Sequence, residues 1–329
     1  MNQLHHKAPR IGMGCWAIGG PFWNQGLQIG YSGANDQDSF GAIHASWAAG
    51  IRIFDTSAVY GAGHSETLLG QALAQRSEAI IVSKLGHSFN AATKQMTGPR
   101  FDPAYVRDSV AQSRARLKRD RIDVMLLHLN DLAIDDAQPV FDTLEELREA
   151  GQIGSYGWST DFPDRIKHVA ESYPECSTVQ HAMNVCLDAP AMSNAADKLN
   201  LTRLIRSPLA MGILTGKFDD THRIPHGDVR RDTPDLQGNF DEGRPSAIRA
   251  EQLDAVRDIL TCQGRTLAQG ALCWLLAKSP NILPIPGAKN AAQAEENAAA
   301  LDFGPLEDAA MQEIELAIDR SKNVTAGSL

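Results

Sequence analysis

From residue 11 to residue 301, short apolar runs alternate with amphipathic stretches of helical spacing, and this alternation most narrows the folds open to the chain. Strand–helix repeats build parallel sheets, because each crossover helix carries the chain back to the edge where the next strand starts. The runs fall at 11–15, 52–55, 79–84, 122–128, 154–159, 178–181, 203–207 and 282–284. Helical spacing is read over 38–49, 65–76, 103–118, 139–150, 163–172, 189–199, 265–277 and 291–301. Eight strands with eight crossovers is the number at which such a sheet closes, so an α/β fold of the (β/α)8 TIM-barrel type is expected. An open doubly wound sheet is the rival, but no break in composition splits off a second domain. A single domain over 1–329 is expected, with its core at about 10–302 and a C-terminal helix and tail over 303–329.

Two stretches depart from the alternation. Residues 21–35 form a Gly- and aromatic-containing loop after the first strand, and residues 216–245 are polar and rich in Gly, Pro and Asp after the seventh. Long loops at the C-terminal ends of strands commonly carry function, and the second is a candidate cover for a bound cofactor. A further helix is expected over 305–320, and 321–329 is expected to be a frayed tail.

Polar residues stand where three successive strands end: Asp55 after Ile-Arg-Ile-Phe, Lys84 after Ala-Ile-Ile-Val-Ser, His128 after Ile-Asp-Val-Met-Leu-Leu, with Tyr60 five residues past Asp55. In a parallel barrel these ends converge on one mouth, where such barrels carry out chemistry. Each residue has a plain reading alone: a cap, a solvated strand end, a loop packer, a core histidine. Four of them on consecutive strand ends suit the reduction of a carbonyl, which needs an acid for the oxygen. Tyr60 is the expected general acid, Lys84 the cation that lowers its pKa, and Asp55 the partner that orients Lys84. His128 is expected to hydrogen-bond the substrate carbonyl.

Composition removes several alternatives. A net charge of −9 with no basic stripe argues against nucleic-acid binding. No uncharged apolar run is long enough for a bilayer, and the first residues lack a secretory apolar stretch, so a cytoplasmic protein without membrane partners is expected. The five cysteines are widely spaced without a Cys-x-x-Cys pair, and the histidines lack His-Glu-x-x-His, so neither disulfides nor a metal is expected.

Asp55-Thr-Ser-Ala-Val-Tyr60-Gly61-Ala-Gly63-His-Ser65-Glu66 resembles the tyrosine-bearing signature of the aldo-keto reductases. Gly12-Met-Gly14-Cys-Trp16 before it resembles the same family, as do Ser83-Lys84 and Asp123-Val-Met-Leu-Leu-His128-Leu-Asn-Asp131 after it. The similarity runs from about Arg10 to Leu301, with the motifs in family order. It implies a triose-isomerase-type barrel that binds a nicotinamide cofactor without a Rossmann domain. In agreement, no Gly-x-Gly-x-x-Gly opens a helix after the first strand.

The resemblance also implies a cofactor path, with Trp16 and Asp55 beside it. Gly157-Trp-Ser159-Thr160 is similar to the family's Gly-x-Ser-Asn, so Ser159 matches and Thr160 departs; Gln180 and Asn184 match, while Met183 stands where tyrosine is frequent. These residues are implied to hold the nicotinamide carboxamide. Arg206-Ser207-Pro208-Leu209-Ala-Met-Gly212 through Gly216-Lys217 is similar to the pyrophosphate-embracing segment. Arg206 takes the place of an aromatic residue, and its guanidinium can either stack on the nicotinamide or meet an anion. Pro286-Gly287-Ala-Lys289 through Gln293, Glu296 and Asn297 is similar to the adenosine-binding segment. The helix starting near Ala291 would aim its amides at a phosphate. Lys289 favours NADPH/NADP+ over NADH.

The family acts on aldehydes and ketones. Trp16, Phe22 and Trp23, with Trp158 beside the fifth strand end, are expected to wall the mouth for a small-molecule carbonyl substrate. A small polar or sugar-like aldehyde is favoured, and oxidation by a sugar dehydrogenase is equally compatible. Rival readings are a cofactor-bound regulatory subunit with little turnover, and a barrel isomerase using Lys84 for a Schiff base. Homo-oligomerisation is left open by the sequence.

Overall fold

The computed structural model describes residues 9–218, 221–233 and 238–320. Eight parallel strands form the central sheet: β1 (Met13–Gly14), β2 (Ile53–Asp55), β3 (Ile80–Leu85), β4 (Ile122–Leu127), β5 (Ile153–Ser159), β6 (Cys176–Ala182), β7 (Thr202–Arg206) and β8 (Ile282–Pro284). They pair in sequence order, with Ile53 opposite Ile80, Lys84 opposite Leu126 and Gln180 opposite Ser159. The ends of the sheet meet. The Gly12 and Gly14 amides donate to the Pro284 and Pro286 carbonyls, each at 2.9 Å, and complete the expected (β/α)8 barrel.

Every residue of β3 is buried, as a parallel strand covered on both faces requires. Ile53, Ile80, Val82, Val124, Leu126, Leu204, Leu283 and Ile285 fill the barrel interior, while a larger apolar layer lies between the strands and the surrounding helices. Local sequence sets the helix ends. Asp102 accepts the Tyr105 amide ahead of the helix Pro103–Leu117, whose first residue is the proline that position tolerates. Thr266 and Gln269 form a reciprocal capping box at the start of Leu267–Lys278.

Four departures from the sequence expectation bear on the mouth of the barrel or the outer layer. The helix expected at 139–150 starts earlier, at Ile134, with Pro139 inside it. A proline reads as a first-turn signal, and here it sits one turn deeper. A helix over Ala247–Thr261 was not assigned from sequence; it buries Leu253, Val256 and Leu260 against the barrel layer. The loop expected at 21–35 after β1 is not irregular, and the segment after β3 is built with it. They join in a four-stranded sheet in which Trp23–Asn24 pairs with Leu27–Gln28 and, in parallel, with Gln95–Pro99, which pairs with His87–Asn90. Strands of two to five residues with polar content carry too little periodicity to be read. The described part of 216–245 holds a helical turn, Val229–Asp232, and a ribbon of Phe240–Asp241 with Arg244–Pro245.

The helical stretch expected at 291–301 is divided into Ala291–Ala298 and Ala300–Phe303, and the last helix spans Asp308–Ala317. The tail expected at 321–329 lies outside the described residues. No described helix is long and apolar enough to cross a membrane.

Candidate active site

Asp55 ends β2, Lys84 lies next to the end of β3, and His128 follows the last residue of β4, so neighbouring staves deliver them to one rim. Lys84 is fully buried, and its ammonium donates to Asp55 Oδ1 at 2.6 Å, to the Thr56 carbonyl at 2.7 Å and to the Tyr60 hydroxyl at 3.3 Å. Gln180, from β6, donates its amide to the other Asp55 oxygen at 2.7 Å. The carboxylate is thereby held from two sides. Tyr60 comes from the loop after β2, which presses against the loop after β1. Gly61 has φ +62°, and a Cβ there would fall 2.0 Å from the Gly19 carbonyl oxygen. That backbone-to-backbone approach seats the phenol.

The Tyr60 ring stacks on Trp16 with centroids 6.1 Å apart and meets His128 edge-on at 5.9 Å. His128 also meets His87, from the accessory sheet, at 5.2 Å. Its Nδ1 lies 3.2 Å from the Ser57 hydroxyl. The Trp16 indole N–H is buried with no hydrogen-bond partner among the described residues.

Burial lowers the Lys84 pKa, but Asp55 and Tyr60 outweigh it and hold the ammonium above its ordinary value. Burial raises Asp55 against the pull of Lys84 and Gln180. The Tyr60 phenol is also raised by burial, with Lys84 opposing. This corrects the expectation that the lysine leaves the phenol below its ordinary value: desolvation is the larger effect, and the phenol stays protonated at neutral pH. Burial, then the nearby charges of His87, Lys84 and Arg206, keep the His128 imidazole well below its usual range and hence neutral.

A second group of polar residues lies along the loops after β1, β7 and β8. Lys289 stands 4.9 Å over the Tyr31 ring and donates to the Ser32 carbonyl at 3.1 Å. Arg230 stands 5.2 Å over the same ring and is clasped by Asp228, which also accepts the Ser32 hydroxyl at 3.1 Å. Gln28 donates to the Gly227 carbonyl, so the excursion after β7 is tied to the loop after β1. Burial, then Arg230, push the Lys289 ammonium down to about 8, and the same two causes lower Lys217. Three cations with Asp228 as their close carboxylate partner make a region suited to phosphate. Directly after β7 come Ser207, Pro208 and buried Leu209, followed by a left-handed turn through Met211 (φ +53°) and Gly212 (φ +105°).

The other residues expected at the site are placed as follows. Trp158 does not line the mouth: it points into the outer layer, wholly buried against Phe141 at 5.5 Å, with its indole N–H on the Leu129 carbonyl. Alternation along β5 explains this, since Ser159 takes the opposite face. Phe22 is likewise buried, and Trp23 belongs to the accessory sheet opposite Gln95 and Gln28. Thr160 braces its loop, donating to the Asn130 carbonyl at 2.6 Å and accepting the Phe162 amide. Gln180 gives one amide N–H to Asp55, Gln293 accepts the Lys289 amide, and Asn297 braces the Gly287 carbonyl. Glu296 is near enough to Lys217 for its charge to be felt there. Asn184 holds the Ser207 carbonyl. Arg206 is paired with Asp161, which also accepts the Ala182 amide, so its guanidinium is anchored at the mouth.

Sequence reasoning did not single out Ser57, His87, Tyr31 or Arg230. Ser57 stood inside the tyrosine-bearing motif and was readable there. Arg230 lay between two aspartates in a polar loop, where a charge run ordinarily means solvent.

The barrel, and a tyrosine, lysine, aspartate and histidine gathered at its C-terminal rim, define an oxidoreductase of the aldo-keto reductase class, and the chain belongs to the Aldo/keto reductase family, whose model matches residues 10–319. Among its relatives, aldo-keto reductase yakc [NADP(+)] of Schizosaccharomyces pombe is 29% identical over 97% of this chain and 91% of its own. The NADH-specific methylglyoxal reductase of Escherichia coli is 29% identical over 94% of this chain and 96% of its own. In structure, the glycerol dehydrogenase AKR11B4 of Gluconobacter oxydans superposes with a TM-score of 0.79 at 27% identity, covering 94% of this chain and 91% of that one.

Proposed function

We propose that this protein is an NADPH-dependent reductase of aldehydes or ketones in which Tyr60 is the general acid. The observation that carries the reading is the Tyr60 hydroxyl 3.3 Å from a buried ammonium that is itself clamped at 2.6 Å by Asp55. The cofactor, when bound, supplies the hydride. Tyr60 gives its proton to the carbonyl oxygen as the carbon becomes an alcohol, and the phenolate left behind is stabilised by Lys84. Asp55 and Gln180 keep Lys84 in place, and neutral His128 donates a hydrogen bond that orients the carbonyl. Trp16 offers an apolar ring face beside Tyr60.

Lys217, Arg230 and Lys289 support a cofactor bearing phosphates, with Lys289 the candidate reader of a 2′-phosphate and hence of NADPH over NADH. A small polar aldehyde suits a mouth rimmed by Trp16, His128 and an anchored Arg206. Among relatives, one is named for methylglyoxal and another for glycerol, which agrees with a small, oxygen-rich substrate. The test is turnover of an aldehyde and sugar panel with each nicotinamide, by wild type and Tyr60→Phe. The variant is expected to bind NADPH normally, by fluorescence quenching, and to lose roughly 1,000-fold in kcat or more, at the scale of a lost acid catalyst. A Tyr60→Phe protein that turns over at near-normal rate would refute the assignment.

A further inference from the structure

Ser57 is buried two residues beyond Asp55, and its hydroxyl has two acceptors within reach: His128 Nδ1 at 3.2 Å and the Lys84 carbonyl at 3.4 Å. It has one proton to give. The Lys84 carbonyl already accepts the Ala58 amide at 3.2 Å, so it is satisfied without Ser57. For His128 Nδ1, Ser57 is the hydrogen-bond partner among the described residues. The choice matters because a neutral imidazole carries a single N–H. If that proton sat on Nδ1 and pointed at Ser57, Nε2 would present a lone pair and repel a carbonyl oxygen.

We propose that Ser57 is a positioning residue that sets the tautomer of His128. Its hydroxyl donates to Nδ1, which leaves the ring proton on Nε2, the nitrogen free for a substrate oxygen. His87 completes the arrangement from the other side, edge-on to the His128 ring at 5.2 Å. One side chain thus selects the proton's position and another limits how the ring can turn. The proposal rests on the carbonyl-reducing reading, since it gives Nε2–H its task.

The experiment reads the tautomer directly, by 15N NMR of histidine-labelled protein without substrate, in wild type, Ser57→Ala and Ser57→Thr. Wild type is expected to show His128 with a protonated Nε2 and a hydrogen-bonded, unprotonated Nδ1. Ser57→Ala should shift the Nδ1 resonance to its free position and lower kcat about five- to tenfold, the scale of one lost neutral hydrogen bond, with NADPH affinity unchanged. Ser57→Thr, which keeps the hydroxyl, should restore both signals. A wild-type proton on Nδ1, or an Nδ1 resonance indifferent to Ser57→Ala, would overturn the proposal. Because the tautomer is read without substrate, its failure is separable from an absence of carbonyl turnover, which would strike the functional reading instead.

Discussion

The two polar regions of this barrel are built on opposite electrostatic plans. At the catalytic rim the buried ammonium of Lys84 lies 2.6 Å from Asp55, and the second oxygen of that carboxylate is taken by Gln180. Charge there is closed within the protein. Around Tyr31, by contrast, Lys217, Arg230 and Lys289 crowd together with Asp228 bound to Arg230, and burial among like charges has already pushed Lys289 down to about 8. The first region needs nothing from outside to keep its charges. The second is left cationic in a way that an incoming anion relieves. On the proposed function, the difference separates a fixed tool from a receptor.

The sharpest way to break this contrast is Lys84→Met. It strands Asp55 in a buried place, and removing one partner of such a pair costs about 3–5 kcal/mol. Thermal melting should show that loss at neutral pH. The sign with pH follows from Asp55, whose folded pKa is already raised by burial and rises further without the ammonium. Such a group is tolerated while protonated and destabilises as pH climbs through and above its unfolded value. The gap in Tm between variant and wild type should therefore narrow as pH is lowered towards 5; a gap that widens would mean Asp55 is not the stranded charge.

A smaller effect is expected on the receptor side. Lys289→Ala should weaken NADPH binding by about tenfold or more, at the scale of a charge-assisted hydrogen bond, and NADH by far less, as measured by fluorescence titration. Equal losses would remove the 2′-phosphate from its account. The same lysine predicts a pH effect in the unaltered protein: as pH rises through about 8 the free ammonium loses its proton, so NADPH affinity should decline from pH 7 to pH 9 and NADH affinity should not. Lys289→Ala should flatten that difference. The smallest effect is expected at Trp158, whose ring lies in the outer layer. Trp158→Phe should leave KM for every substrate within about twofold while lowering stability modestly, because it removes packing and one hydrogen bond.

Much of the barrel was legible because its code is periodic. Stretches such as 80–82 and 124–127 are apolar and buried, and the polar residue that comes soon after each, Lys84 or His128, is placed by the strand itself. Asp55, Lys84 and His128 could therefore be assigned to one rim from sequence. What escaped was set by tertiary geometry. Trp158 and Ser159 are neighbours in sequence yet face opposite sides of β5, and the boundary of the motif gave no sign of which side was the mouth. The loop roles of Thr160 and Gln293, which hold the Asn130 carbonyl and the Lys289 amide, were not legible because they depend on how the loops fold back. The helix Ala247–Thr261 was hidden behind a polar excursion, although Leu253, Val256 and Leu260 keep helical spacing. Arg230 reaches Tyr31 across nearly 200 positions of chain, and no local pattern announces such a pairing.

The seam between the first and last strands has a consequence of its own. It is joined by the amides of Gly12 and Gly14 reaching the carbonyls of Pro284 and Pro286, and the prolines have no N–H to offer in return. Gly14 also bridges Gly287 in parallel, so the joint is held along a short ladder in which the Gly12 and Gly14 amides are the donors from the first strand. Those two hydrogens are a built-in gauge: their exchange with solvent reports when the cylinder parts along its length, and the staves opposite the joint need not move for it to be read.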